Sequence, residues 1–288
     1  MSKETCCSMA LGEAKGASPR PHHSRSDGRQ QAYAGLSVAQ LEDVEALIRE
    51  AFANDLQLLA ALNDCEPTAR LLESLRSANA QDWFAFKTTS EMVTAACTLL
   101  DTALDAMAHP ISAAALDELA VDYAAIYLMH SYRAPPTESP WLDKDRLERQ
   151  APMFEIAAWY RRFGLAAQDR QRRSDAHMVL QLPFLSHLFS MPGLDTARSA
   201  AEATRFLDQH LLLWISDFAE RVAPRCETPY YCGIVALTDG YLHAMRDYLA
   251  ERYNLPRPLP KVAENIQIDI DDVDEDVARY VPGVEPSW

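Results

Sequence analysis

The stretch LEDVEALIREAFANDLQLL (residues 41–59) decides the fold class. Leu41, Val44, Leu47, Ile48, Ala51, Phe52, Leu56 and Leu59 recur at three- and four-residue steps, which puts them on one face of a helix. Ser37-Val38-Ala39-Gln40, just before it, has capping-box spacing. There a hydroxyl accepts a backbone N–H and a glutamine reaches back. Asn63-Asp64 and Pro67 end the pattern.

The same period continues along the chain. Helices are expected over 68–77, 81–107, 112–128, 145–163, 174–190, 196–222 and 230–252. His109-Pro110 stops the helix over 81–107, because the residue before proline avoids the helical region. Gly164 reads as a C-cap, and Pro183 should kink its helix or mark its first turns. Between 131 and 141, Pro135, Pro136 and Pro140 exclude helix interior and central strand, so Tyr132 and Trp141 lie on a loop. Only nine glycines occur in 288 residues and 48% of the chain is hydrophobic, so the core is helical and sizeable. The expected fold is an all-α compact bundle of about eight to nine helices over 37–253. A disordered extension (1–36) precedes it, and a Pro-rich, acidic tail (254–288) follows.

The formal charge of −15 disfavours nucleic acid, because an acidic surface repels phosphates. No run of about 18 uncharged apolar residues is present, so no stable membrane insertion and no secretory leader are expected. A cytoplasmic protein is the simplest reading. Six cysteines, with no second pair at ligand spacing beside Cys226 and Cys232, predict neither a disulfide scaffold nor a metal site.

Phosphate-loop, dinucleotide, zinc-protease and nucleophile-elbow motifs are absent, and no catalytic residues are assigned. Asp175 and His177 could pair as carboxylate and base. Equally, Ser174 or Asp175 could simply cap a helix start. Trp83, Trp159 and Trp214 sit at helical spacing and read as core; His210 and His243 read as satisfied residues on helix faces. Trp141 either plugs the bundle or walls a groove.

Several segments in order resemble the TorD/DmsD/NarJ-type family of redox-enzyme maturation chaperones. They are Leu119-Ala-Val-Asp-Tyr123, Ala134-Pro-Pro-Thr-Glu-Ser-Pro-Trp141, Trp159-Tyr-Arg-Arg-Phe-Gly-Leu165, Ser174-Asp-Ala-His177 and Gln181-Leu-Pro-Phe-Leu185. Phe206 through Trp214 and Pro229-Tyr230-Tyr231 are similar to the family's terminal helices. The chain departs from the family at Asp175-Ala176-His177, where the family has adjacent Asp-His, and at Gln181, where it has Glu.

The resemblance implies a chaperone rather than an enzyme, with no cofactor beyond weak guanine nucleotide binding. It would bind a molybdoenzyme catalytic subunit or its twin-arginine leader peptide, as a monomer or domain-swapped dimer. It would assist cofactor insertion and proofread before export. The implied client-peptide site comprises Glu138, Ser139, Pro140, Trp141, Asp175, His177 and Gln181, with Glu138 and Asp175 meeting arginines. A helical small-molecule-binding or regulatory module and a nucleotide-binding hydrolase using Asp175 and His177 stand as alternatives.

Overall fold

A computed structural model describes residues 38–167, 173–191 and 195–258. The expectations for residues 1–36, for the Ser37 cap and for the acidic cluster beyond 258 fall outside these.

Among the described residues the fold is all-α, with one isolated antiparallel bridge between Thr137 and His177. The helices are α1 (Val38–Asp64), α2 (Ala69–Arg76), α3 (Glu91–Ala106), α4 (Ala113–Tyr123) and a short turn α5 (Ser139–Leu142). There follow α6 (Ala151–Arg162), α7 (Met178–Ser190), α8 (Thr196–Gln209), α9 (Ile215–Val222) and α10 (Pro229–Tyr253). The most extensive packing joins α1 to α7 and α3 to α10, while α8 bridges α7 and α10.

On α1 the buried stripe runs through Phe52, Leu56 and Leu59. Leu47, expected inward, is 64% exposed, because the stripe passes through Ile48 instead. Met92 is likewise exposed, beside inward Val93. The α3–α10 approach is set at Gly233, where a Cβ would come within 2.6 Å of Leu100 Cγ. Two arginines close helix ends by donating to terminal carbonyls. Arg76 reaches Leu104 and Met107 at the end of α3, and Arg49 reaches Phe189 and Met191 at the end of α7.

Five expected helices are shorter or broken, among them 174–190, which begins only at Met178. The segment 81–107 divides into a 3₁₀ turn (Ala80–Trp83), an extended link and α3. Its link amides are taken by a tertiary acceptor: Asp55, 2% exposed, accepts from Ala85 N (2.8 Å), Phe86 N (2.9 Å) and the Tyr241 hydroxyl (2.7 Å). The segment 145–163 begins only at Ala151, because Arg146 and Arg149 adopt positive φ (54° and 60°).

After α4 the chain widens into a π-helical turn (Ala124–Leu128), with Met129 N donating to Ala124 O. The expected helix 196–222 breaks at His210 (φ −131°, ψ −89°) into α8, a 3₁₀ turn (Leu211–Leu213) and α9. Gly164, in contrast, ends α6 as expected, with φ 72° and Leu165 N donating to Tyr160 O. Pro183 lies well inside α7 and gives no N–H to the carbonyl of Val179.

Asp122, in the Leu119–Tyr123 segment, is fully buried and fixes the start of α10. It accepts from Glu227 N (2.9 Å), Thr228 N (2.6 Å), the Thr228 hydroxyl (2.6 Å) and the Tyr132 hydroxyl (3.2 Å). One carboxylate so satisfies amides that no helix could.

Candidate functional site around the proline-rich loop

Three prolines withhold amide donors from the loop, yet part of its backbone pairs with the chain entering α7. Glu138 N donates to Ala176 O (3.2 Å), and Met178 N donates to Pro136 O (3.0 Å). The loop therefore lies antiparallel to the chain entering α7, and this pairing is what brings the two implied halves of the site together.

Glu138 spends both carboxylate oxygens inside the protein. Oε1 lies 2.9 Å from His210 Nδ1, and Oε2 accepts from Gln181 Nε2 at 3.2 Å. The same Gln181 amide donates to Ala176 O at 2.8 Å. Glu138 is 1% exposed, Gln181 is fully buried and Ser139 is 1% exposed. Burial pushes the Glu138 carboxyl upward in pKa, against the opposing pull of His210 and Gln181. As found, Glu138 is committed to holding the loop and has no free edge for a client arginine. Gln181 is suited to this place because its amide donates twice, which a glutamate there could not do.

The helix start differs from the expectation in its capping residue. His177, not Ser174 or Asp175, caps α7: Val179 N donates to its Nδ1 at 3.2 Å. An acceptor nitrogen requires a neutral ring. Burial, aided by Arg173 and His130, lowers the His177 pKa to about 3, so the ring is neutral at ordinary pH. Ser174 Oγ instead accepts from Ala176 N within its own turn. Asp175 is 5% exposed, and its carbonyl accepts from the Tyr160 hydroxyl at 3.0 Å. A neutral imidazole already accepting an amide has no lone pair on that nitrogen for general-base work.

Trp141 is half-buried and turned against the bundle. Its Nε1 donates to Pro135 O (2.9 Å), and its ring stacks on Trp214 with centroids 6.4 Å apart and planes at 25°. The Arg221 guanidinium covers the ring at 4.7 Å and donates to Arg133 O. Trp141 thus walls the loop's outer face as part of an indole–indole–guanidinium stack. Leu142, which follows Trp141, is exposed at 39%, and Leu147, Met129 and Phe154 are exposed at 55%, 66% and 60%. His130 Nδ1 lies 3.9 Å from Glu148, which brings the Met129 and Leu147 neighbourhoods together.

His210, Trp214 and Arg221 are the members that the sequence did not assign. His210 and Trp214 come from the break between α8 and α9, Arg221 comes from the last turn of α9, and no local spacing points from them to Glu138. In the sequence, His210 and Trp214 show only as two large polar-capable rings on an apolar helix face. A groove of about 570 Å³ runs along α7, lined by Tyr160, Leu165, Leu180, Phe184 and His187 among others. No cluster of three or more His, Cys, Asp or Glu that could hold a metal occurs among the described residues. No described helix is long and apolar enough to cross a membrane.

One comparison with known proteins falls on this region. The family model described as nitrate reductase delta subunit matches residues 89–220, which include the loop, the start of α7, His210 and Trp214. Chaperone protein TorD of Vibrio vulnificus strain YJ016 is 28% identical over 138 residues, covering 46% of this chain and 64% of that protein. Its counterpart in strain CMCP6 is 27% identical over the same shares, and that of Vibrio cholerae is 29% identical over 110 residues, half of its length. The chain so spans 64% of the length of the first relatives it matches. By these matches the all-helical chain is similar to the nitrate reductase delta subunit family and to TorD chaperones.

Proposed function

We propose that this chain is a cytoplasmic chaperone for the catalytic subunit of a molybdenum-containing redox enzyme. It binds the twin-arginine leader or the apo form, assists cofactor insertion and withholds the client from export until then. The observation that carries the reading is the locked loop. Glu138, His210, Gln181 and His177 fix its backbone, so the Trp141 face is held ready before a client arrives. Preorganisation of this kind lowers the entropy cost of binding a flexible segment.

The client-peptide site in this reading keeps its seven residues but divides their work. Pro140 and Trp141, with the exposed Leu142 and Leu147, meet apolar client residues. Glu138, Ser139, Asp175, His177 and Gln181 position them from behind. The formal charge of −15 draws a basic leader toward the protein at long range. The protein acts as a binder and not as an enzyme, and guanine nucleotide enters only as a weak ligand.

An affinity pull-down from the native cytoplasm, read by mass spectrometry, tests the function. Recovery of a molybdoenzyme subunit still carrying its leader is the expected result; consistent absence of any such subunit rejects it. Titration with GTP in the same preparation measures the nucleotide. The 570 Å³ groove along α7 favours one second reading, a helical small-molecule-binding module. A copurifying small molecule in place of a subunit would select that reading.

A further inference from the structure

Where α9 meets α10, a serine, a histidine and an aspartate converge outside the proposed site. Ser216 Oγ lies 2.8 Å from Asp239 Oδ1 and 2.9 Å from His243 Nε2. The residue types suggest a nucleophile, but the protonation pattern forbids one. Arg257 Nη1 lies 3.3 Å from His243 Nδ1. A guanidinium only donates, so Nδ1 is the acceptor and Nε2 carries the hydrogen. Nε2–H then donates to Ser216 Oγ, and the serine hydroxyl donates to Asp239. A serine nucleophile needs the reverse, an unprotonated nitrogen to take its proton. The chain of hydrogen bonds runs one way, and what it holds is Arg257.

Arg257 ends a strap, Leu255 to Arg257, that leaves α10 through Asn254 at φ 53°. Two arginines fasten the strap. Arg246, fully buried, pairs with Asp208 through two 2.8 Å contacts and donates to Leu255 O (2.9 Å) and Pro256 O (3.1 Å). Its charge does not change with pH. Arg257 donates to Asp247 Oδ1 (2.9 Å) and His243 O (3.2 Å), and its third contact is the His243 ring. One fastening is therefore fixed and the other depends on an imidazole whose side chain is 30% exposed.

We propose that His243 is a pH-sensitive catch for the Arg257 end of this strap. Neutral, its Nδ1 accepts the guanidinium. Protonated, Nδ1 becomes a donor facing a donor, and a cation faces a cation. The charged groups around the ring are Asp239 on its own helix and Arg257, with Asp247 behind Arg257. From α9 the ring meets the uncharged Ser216, and Asp208 of α8 is committed to Arg246. Acidification therefore opens the Arg257 end while Arg246 keeps Leu255 and Pro256 in place. The docked-to-open ratio at Arg257 falls about two- to fivefold, the scale of one exposed charge contact.

The test uses the full chain labelled with ¹⁵N-arginine and ¹⁵N-histidine, and follows the order of each guanidinium by NMR at pH 8 and pH 5.5. At pH 8, His243 should show the Nε2–H form and Arg257 should be ordered. At pH 5.5, Arg257 should loosen while Arg246 stays ordered. In His243→Gln the order of Arg257 should be the same at both pH values. An Nδ1–H form at pH 8 overturns the proposal. So does an Arg257 that does not respond to pH, or a response that persists in His243→Gln.

Discussion

Glu138 on the proline-rich loop and His210 at the end of α8 stand 72 positions apart and meet at 2.9 Å, both all but inaccessible to water. A carboxylate and an imidazole buried together are costly to separate, since the survivor keeps its desolvation penalty without its partner. His210→Ala should therefore lower unfolding free energy by about 3 kcal/mol in urea titration. A loss under about 0.5 kcal/mol, the level of an ordinary surface change, would show that the pair does not hold the loop.

The Glu138 carboxyl has its pKa raised in the fold by burial. The native state thus holds its proton more tightly than the unfolded chain does. The contribution of this group is fully present below the ordinary carboxyl range and falls as pH rises through the native value. Glu138→Gln, which keeps the shape but cannot ionise, should lose less stability than the wild type between pH 4.5 and 7. Parallel stability–pH curves for the two proteins would contradict the assignment.

His177 works in the opposite direction. Its pKa falls from 6.5 to about 3, so across this window the unfolded chain binds the extra proton. Stability from this residue is complete above pH 6.5 and declines as the pH drops toward 3, by about 1.4 kcal/mol per unit at most. His177→Asn can still cap α7 and should remove this slope while leaving stability at pH 7 within about 1 kcal/mol. Calorimetric midpoints of both proteins from pH 4 to 7 decide it.

The division of labour in the proposed client site is separable by mutation. Leu147→Asp alters an exposed side chain and should leave the melting temperature unchanged. It should weaken binding of a leader peptide about tenfold by calorimetric titration, the scale of one apolar anchor. Trp141→Ala should weaken it at least as much, with some loss of stability because Trp214 and Arg221 lose their stacking partner. Unchanged affinity in both variants would move the site elsewhere, the groove along α7 being the next candidate.

Gly233 tests the packing of α10 on α3. Alanine there gains helix propensity of about 1 kcal/mol. It also drives a methyl to within 2.6 Å of Leu100, where overpacking costs about 1–3 kcal/mol. Net destabilisation is expected in Gly233→Ala, and Leu100→Ala in the same chain should relieve part of the clash. A stabilised Gly233→Ala would mean that the helices part easily.

The sequence alone determined the helical class, the loop and the approximate place of most helices. Apolar spacing and proline act locally: Leu56 and Leu59 follow Phe52 on one face, and Pro135 and Pro136 bar regular structure, whatever the rest of the chain does. The C-cap at Gly164 was legible too, because freedom to adopt positive φ is a property of glycine itself. Tertiary structure decided where helices stop and what the site residues do. Asp55 claims the amides of Ala85 and Phe86 from 30 and 31 residues away, and Asp122 claims those of Glu227 and Thr228 from 105 and 106 away. Glu138 looked like an acid awaiting an arginine, and folding gave it His210 instead. A side chain's charge is written in its identity, but whether water or a distant partner neutralises that charge depends on burial, which is settled only when remote segments pack together.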